Sequence, residues 1–256
     1  MRVRLLVTAL SITRSRALSS QRLTTMAASD VSTVGPRGAL ILFEGIDRCG
    51  KSTQVKLLTE YLQGKVGIDR AKDIRFPDRT SYIGKLINDY LANTASTSGV
   101  SDQTIHLLFS ANRWEASSGI ESSLLSGTTF VCDRYAYSGV SFSSAKGTPG
   151  MDLEWCKACD RGLPAPDCVI YLDMPVEAAA KRGNFGEERY EKIDFQLKVR
   201  EKFMQLKQEN DASGASAVPW HTVDADQTIE SIRDQIRDIA DRTVEEVKLR
   251  PIRRLW

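Results

Sequence analysis

Histidine is scarce in this chain of 256 residues, which carries only His106 and His221. Cys156-x-x-Cys159 is a short dithiol motif, but Cys49, Cys132 and Cys168 supply no second pair. Structural zinc takes four ligands, so no complete zinc site is legible, and five cysteines without a framework suit reduced thiols. Long apolar runs are missing too. None approaches the roughly 18 residues that span a bilayer, and no membrane partner is expected. Strong charge imbalance is also absent. The formal net charge is only +2 with 27% charged residues, which excludes a polybasic nucleic-acid binder and confines any basic site to one locality. No direct nucleic-acid partner is expected.

Acidic residues are wholly absent from Met1 to Ser29, where Arg2, Arg4, Arg14, Arg16 and Arg22 are spread among Leu, Val, Ala, Ser and Thr. That is the composition of a mitochondrial or plastid transit peptide. The residues leave open a tail that carries no address. A secretory signal fits less well, because the apolar stretch Leu5 to Leu10 is short and arginines continue beyond it. A start at Met26 would give a form without the leader, in the cytoplasm or nucleus. The expected organisation is a leader over 1–36 and one domain over 37–256.

After about Gly35 the chain alternates. Ala39 to Glu44 and Cys168 to Asp173 are short apolar runs that suit strands buried on both faces, and Thr128 to Asp133 reads the same way. Lys51 to Gln63 has Val55, Leu58 and Leu62 at helical spacing. Tyr82 to Ala92, Ser101 to Ser126, Lys192 to Glu209 and Thr228 to Lys248 also read as helices, with a cap at Ser101 or Asp102 and a helix start at Pro175. A further short strand spans Trp220 to Val223. Strands alternating with helices predict an α/β fold with a mostly parallel sheet. Its ligand crevice should open at the carboxyl ends of the strands.

What is abundant is phosphate chemistry. Gly45-x-x-x-x-Gly50-Lys51-Ser52 fits a phosphate-binding loop, and it lies between a strand and a helix, the context that such a loop needs. Gly45 and Gly50 permit the tight turn, and backbone N–H groups from Gly45, Ile46, Asp47, Arg48, Cys49, Gly50, Lys51, Ser52 and Thr53 can cradle phosphate oxygens. Lys51 should reach the β- and γ-phosphates. Ser52 should hold magnesium, with Asp133 as the strand-end carboxylate beside it. The pattern does not require Asp47-Arg48. Arg48 reads either as a guanidinium against the γ-phosphate or as a solvated loop charge; Asp47 alone reads as a turn residue. Arg79, Arg113, Arg134, Arg182 and Arg189 each read singly as surface charge. Together they suggest a second anionic substrate beside ATP, because several guanidiniums offset the repulsion between two phosphates.

Six motifs in order, "EGIDRCGKSTQ", "RFPDRT", "HLLFSANRW", "CDRYAYSGVSFSSAKG", "LPAPDCVIYLD" and "KRGNFGEERYE", resemble the thymidylate kinases of eukaryotic type, which are P-loop nucleoside monophosphate kinases. The resemblance covers the chain after the leader. It implies a three-layer P-loop kinase fold, a central sheet flanked by helices, with a small lid at about 182–190. It also implies an enzyme that moves the γ-phosphoryl group of MgATP to dTMP, and a homodimer packed through helices in the region 82–127.

The residue roles implied are these. Asp47 meets the sugar 3′-hydroxyl and Arg48 the γ-phosphate. Phe76 and Arg79 of the FPxR motif, with a cis bond before Pro77, and Arg134 of the DRY motif bind the acceptor phosphate. Phe109 stacks on thymine while Arg113, one helical turn on, bonds its edge; packing is the plainer reading of Phe109 without the family. Phe142, Arg189, Tyr190 and Gln196 line the acceptor site, with Tyr190 crowding a ribose 2′-hydroxyl. Arg182 stacks on adenine. The expected catalytic set is Asp47, Arg48, Lys51, Asp133 and Arg134. A kinase for UMP or CMP is the nearest alternative. A GTPase switch would want an Asn-Lys-x-Asp box, which is absent, and an inactive nucleotide-binding scaffold would not need the intact arginine set.

Overall fold

Leu40–Glu44 (β1) is buried at every position, as an apolar run must be when both faces of its sheet are covered. Its side chains alternate: Ile41 and Phe43 enter one core layer, Leu40 and Leu42 the other. The computed structural model describes residues 36–65, 70–92, 99–182 and 185–256. The proposed leader therefore lies outside the described residues, apart from Pro36, as do Gly183 and Asn184 of the proposed lid.

Four more strands join β1: Ala71–Arg75 (β2), Thr129–Asp133 (β3), Cys168–Asp173 (β4) and Trp220–Asp224 (β5). Their order is β2-β3-β1-β4-β5, and every pairing is parallel. One face is covered by Lys51–Gly64 (α1), through Val55, Leu58 and Leu62, and by the last helix, through Ile232, Ile236 and Ile239. The other face packs on Ile120 and Leu124 of the long helix over Asp102–Leu125, with Val140, Val199 and Phe203. The α/β, P-loop kinase architecture is thus present, with β1 flanked by β3 and β4 so that the crevice opens beyond its carboxyl end.

In chain order the remaining helices are Tyr82–Leu91 (α2), Asp102–Leu125 (α3), Ala136–Ser144 (α4), Leu153–Ala158 (α5), Val176–Ala180 (α6), Ile193–Ala212 (α7) and Ile229–Val247 (α8). Ser101 rather than Asp102 caps α3, accepting from the Thr104 N–H at 3.1 Å. Pro175 is the N-cap of α6. Phe76–Pro77 is cis. Among the described residues no helix is long and apolar enough to cross a membrane.

Three elements were not expected. The linker between Asp69 and Asp73 reads as basic and carries no strand signal, yet from Ala71 the chain forms β2. It is the sheet edge, only Ala71 of its five residues is buried, and an edge strand carries charge rather than an apolar run. Helix α4 is buried at every position but Phe142, so it has no polar stripe to give a helical period. Helix α5 is six residues long, too short to show one.

Candidate active site

The loop between β1 and α1 turns through left-handed backbone at Arg48 (φ 63°) and Gly50 (φ 97°). Glycine adopts this freely; arginine does so under strain. Gly50 is also where Arg182 approaches: a Cβ there would lie 3.2 Å from Arg182 Nη1. Lys51, buried at the first turn of α1, donates through Nζ to the carbonyls of Ile46 at 2.6 Å and Gly45 at 3.2 Å. Its ammonium therefore sits in the hollow of the loop. The next residue, Ser52, donates from Oγ to Asp133 Oδ2 at 2.8 Å. Asp133, at the end of β3, is buried, and its Oδ1 has no hydrogen-bond partner among the described residues. Arg75, at the end of β2, reaches the same pair, 3.2 Å from Ser52 Oγ and 3.5 Å from Asp133 Oδ2.

Arg134 follows β3, again in left-handed backbone (φ 67°). Nη1 donates to Gly45 O and Ser138 Oγ, both at 3.0 Å, while Nη2 pairs with Asp47, and the guanidinium lies over the Phe142 ring. Beneath it, fully buried Glu44 accepts the Tyr135 and Ser138 N–H groups, each at 3.0 Å, so this carboxylate caps α4. Burial pushes its pKa up, against the pull of Arg134.

Arg48 points toward the segment before α7. Its Nε donates to Glu191 Oε1 at 2.7 Å, and Glu191 Oε2 accepts the N–H groups of Gly186, Glu187 and Glu188 at 3.0, 3.0 and 3.3 Å. Arg182 donates to Arg48 O at 3.1 Å and Ala225 O at 3.4 Å. It lies beside a recess of about 120 Å³ that Cys49, Thr53, Gln227 and Ile229 also line.

A cleft of about 640 Å³ runs from Lys51, Ser52 and Thr53 to Phe109 and Arg113. Asp47, Arg48, Phe76, Arg79, Arg134, Phe142, Arg182 and Tyr190 line it too, so most of the expected site residues share one cavity. Its size is that of a small-molecule site. Arg79 bonds Glu188 at 2.8 Å and Asn88 at 3.1 Å. Arg113 grips buried Asp160 with two bonds, Nε to Oδ1 at 3.1 Å and Nη2 to Oδ2 at 2.6 Å. Gly139 leaves room for that guanidinium, since a Cβ there would lie 2.7 Å from Nη2.

Two expected lining residues lie elsewhere. Gln196 is fully buried behind the wall, where it accepts the Asp47 N–H at 2.9 Å and donates to Asp47 Oδ2 at 2.6 Å and Tyr190 O at 3.0 Å. Its amide fits a bracing position better than a surface one. Arg189 stacks on Tyr90, 4.1 Å from the ring centroid, and bonds the Tyr90 carbonyl. Sequence reasoning passed over Arg75, Glu191, Asp160, Gly139 and Glu44. Arg75, Glu191 and Glu44 carried a signal, as the ends of three of the six motifs, and Gly139 lies inside a fourth; Asp160 carried none.

A parallel sheet with a phosphate-binding loop beyond its central strand, and a carboxylate beside that loop's serine, defines a P-loop nucleotide phosphotransferase. A family model described as thymidylate kinase matches residues 43–236. The thymidylate kinase of Arabidopsis thaliana is 46% identical over 227 residues, 88% of this chain and 80% of that protein. The Homo sapiens enzyme is 44% identical over 220 residues, 86% of this chain and 98% of that one. The solved structure of Candida albicans thymidylate kinase superposes with a TM-score of 0.74 at 36% identity, covering 86% of this chain and 99% of that one. The chain belongs to the thymidylate kinase family.

Proposed function

We propose that the cleft holds ATP and dTMP end to end and moves the γ-phosphoryl group onto the dTMP phosphate, giving ADP and dTDP. The observation that carries this is the lining itself. Among the described residues, Arg48, Arg75, Arg79, Arg113, Arg134, Arg182 and Lys51 face one cavity of about 640 Å³. Two phosphate-bearing molecules repel strongly at close range, and only such an array offsets that repulsion while aligning attacking and leaving oxygens. An acceptor oxygen attacks directly, so no protein nucleophile is needed.

The acceptor roles follow the cleft. Arg79 and Arg134 hold the dTMP phosphate, Asp47 the sugar hydroxyl, and Phe109 and Arg113 the base, while Tyr190 and Phe142 close the side. At the donor end Lys51 and the loop amides hold the phosphates, Arg48 neutralises charge at the migrating group, and Arg182 lies against adenine in the smaller recess. Magnesium fits here. Asp133 Oδ1 is a buried oxygen without a hydrogen-bond partner among the described residues, on the carboxylate whose Oδ2 accepts from Ser52 Oγ, and hard oxygen ligands suit that ion. Bound with ATP, it would draw negative charge off the β- and γ-phosphoryl oxygens.

Beyond the chemistry, we read 37–256 as the kinase domain with a lid at about 182–190, and 1–36 as a leader for the mitochondrion or plastid. Support for the leader is its acid-free composition; a mature N-terminus sequenced near Met1 in purified organelles would contradict it. The proposed homodimer rests on exposed Leu107, Trp114 and Leu125 of α3 beside exposed Tyr82 and Leu86 of α2. Leu107→Glu should turn the dimer into monomer in sedimentation, and a monomeric parent protein would end that reading.

ADP release measured with dTMP, dUMP, UMP and CMP as acceptors tests the activity. The Candida albicans relative is described as having broad substrate specificity, so the panel is informative here. We expect dTMP to have the highest kcat/KM. A preference for UMP or CMP would assign the site to another pyrimidine monophosphate.

A further inference from the structure

Glu191 lies outside the residues that the motifs assign to either substrate, yet its carboxylate joins two parts of the site. Its side chain is only 6% exposed. Oε1 takes the Arg48 Nε–H at 2.7 Å. Oε2 takes three successive backbone N–H groups, those of Gly186, Glu187 and Glu188. Amides converging in this way form a small anion-binding concavity, and left-handed backbone at Gly186 (φ 102°) helps to shape it. Burial alone would raise the carboxyl's pKa, but the hydrogen bonds from Arg48 and from the Glu188 and Gly186 amides outweigh it and hold the group below the ordinary range. It is therefore an anion at neutral pH.

Two bland roles are available: a cap for the 186–188 turn, or a counter-charge that quenches Arg48. A cap needs only Oε2. A counter-charge needs only proximity, which Glu187 Oε2 already gives at 4.0 Å from Arg48 Nη2, on the side where the terminal nitrogens fork onto phosphates. The bond through Nε instead fixes the plane of the guanidinium from its inner nitrogen. Arg48 also sits in strained left-handed backbone, and strained residues persist where surrounding contacts over-determine them.

We propose that Glu191 is a positioning residue for phosphoryl transfer: one buried carboxylate orients the Arg48 guanidinium and anchors the 186–188 turn, so that the two are set together. This rests on the reading of Arg48 as the γ-phosphate group. Glu191→Gln keeps shape but places an N–H where either Arg48 or the turn amides need an acceptor. It should lower kcat by about a hundredfold, the scale of a small misplacement of a catalytic group, with dTMP KM little changed.

The test is a double-mutant cycle at saturating ATP and dTMP with Glu191→Gln, Arg48→Gly and both together. If Glu191 acts through Arg48, the double variant loses no more kcat than Arg48→Gly alone. Losses that multiply would assign Glu191 to the turn only and overturn the proposal. Wild-type kcat in Arg48→Gly would overturn the reading of Arg48 itself, and the proposal with it. Should Glu191→Gln fail to fold, Glu191→Asp, which keeps the charge but draws the carboxylate back, takes its place in the same cycle: no further loss in the double variant supports the proposal, and losses that multiply overturn it.

Discussion

At the proposed donor end of the cleft Arg48 stands on a loop, its side chain 30% exposed and bonded to Glu191 through Nε. At the proposed acceptor end Arg113 stands within α3, its side chain 2% exposed and gripped through Nε and Nη2 by fully buried Asp160. The same side chain is thus installed in two ways. A guanidinium that reads the edge of a base must hold still, because discrimination is lost when the donor can shift to suit the wrong ligand. A guanidinium that follows charge from a leaving oxygen to a migrating phosphoryl group needs a partner that orients it without sealing it from the substrate. Buried pairing gives the first property, and a half-exposed loop with an inner-nitrogen bond gives the second.

The contrast can be broken at the acceptor end. Asp160→Ala leaves an unpaired buried guanidinium, so unfolding stability should fall by about 3–5 kcal/mol, read as a lowered Tm, with dTMP KM rising sharply in whatever folds. Unchanged dTMP KM in folded protein would detach Arg113 from the acceptor. Gly139→Ala should be milder. Its Cβ would press on Arg113 Nη1 and Nη2, which lie 3.0 and 2.7 Å away; overpacking of this kind costs about 1–3 kcal/mol. The cost should appear in dTMP KM and leave ATP KM alone.

Acidity separates the two ends with a smaller effect. His106 is buried below the acceptor floor, with Nδ1 at 2.7 Å from Ser143 Oγ and Nε2 at 3.0 Å from Cys156 O. Burial first, and the Arg113 charge second, hold its pKa below the ordinary 6.5. A depressed histidine pKa means that the unfolded chain takes up the proton more readily. The stability from neutral His106 is therefore complete above about pH 6.5 and is lost as pH falls below it. The depressed carboxyl of Glu191 gives stability that is complete above its ordinary value of 4.5 and is lost only below that. Thermal unfolding followed against pH should show the histidine component first; burial depresses His221 as well, so His106→Asn should shrink that component without abolishing it. A first loss confined to pH below 4.5 would contradict the assignment.

Much of this was legible in the residues. The runs that became β1, β3 and β4 are apolar throughout because both their faces are covered, and the phosphate loop announces itself by spacing. What stayed hidden has physical causes. The β2 residues Lys72 and Asp73 look like a linker because an edge strand needs little burial. Asp160 and Glu191 look like surface acids, since nothing in a sequence says which carboxylate will be buried against an arginine, and nothing at the end of the Ala39 to Glu44 run says that Glu44 will cap a distant helix. Gln196 stands behind the cleft wall and braces Asp47 through two hydrogen bonds. Side-chain partners between distant segments decide these roles, and such partners are set only when the chain has folded.

The direct measurement is dTMP binding and turnover of Arg48→Gly taken side by side. Turnover should fall by about a thousandfold, the scale of losing one preorganised charge-stabilising group, while the dTMP Kd stays near that of the parent protein. Parallel losses in kcat and dTMP affinity would contradict the division of labour between the loop arginine and the buried one.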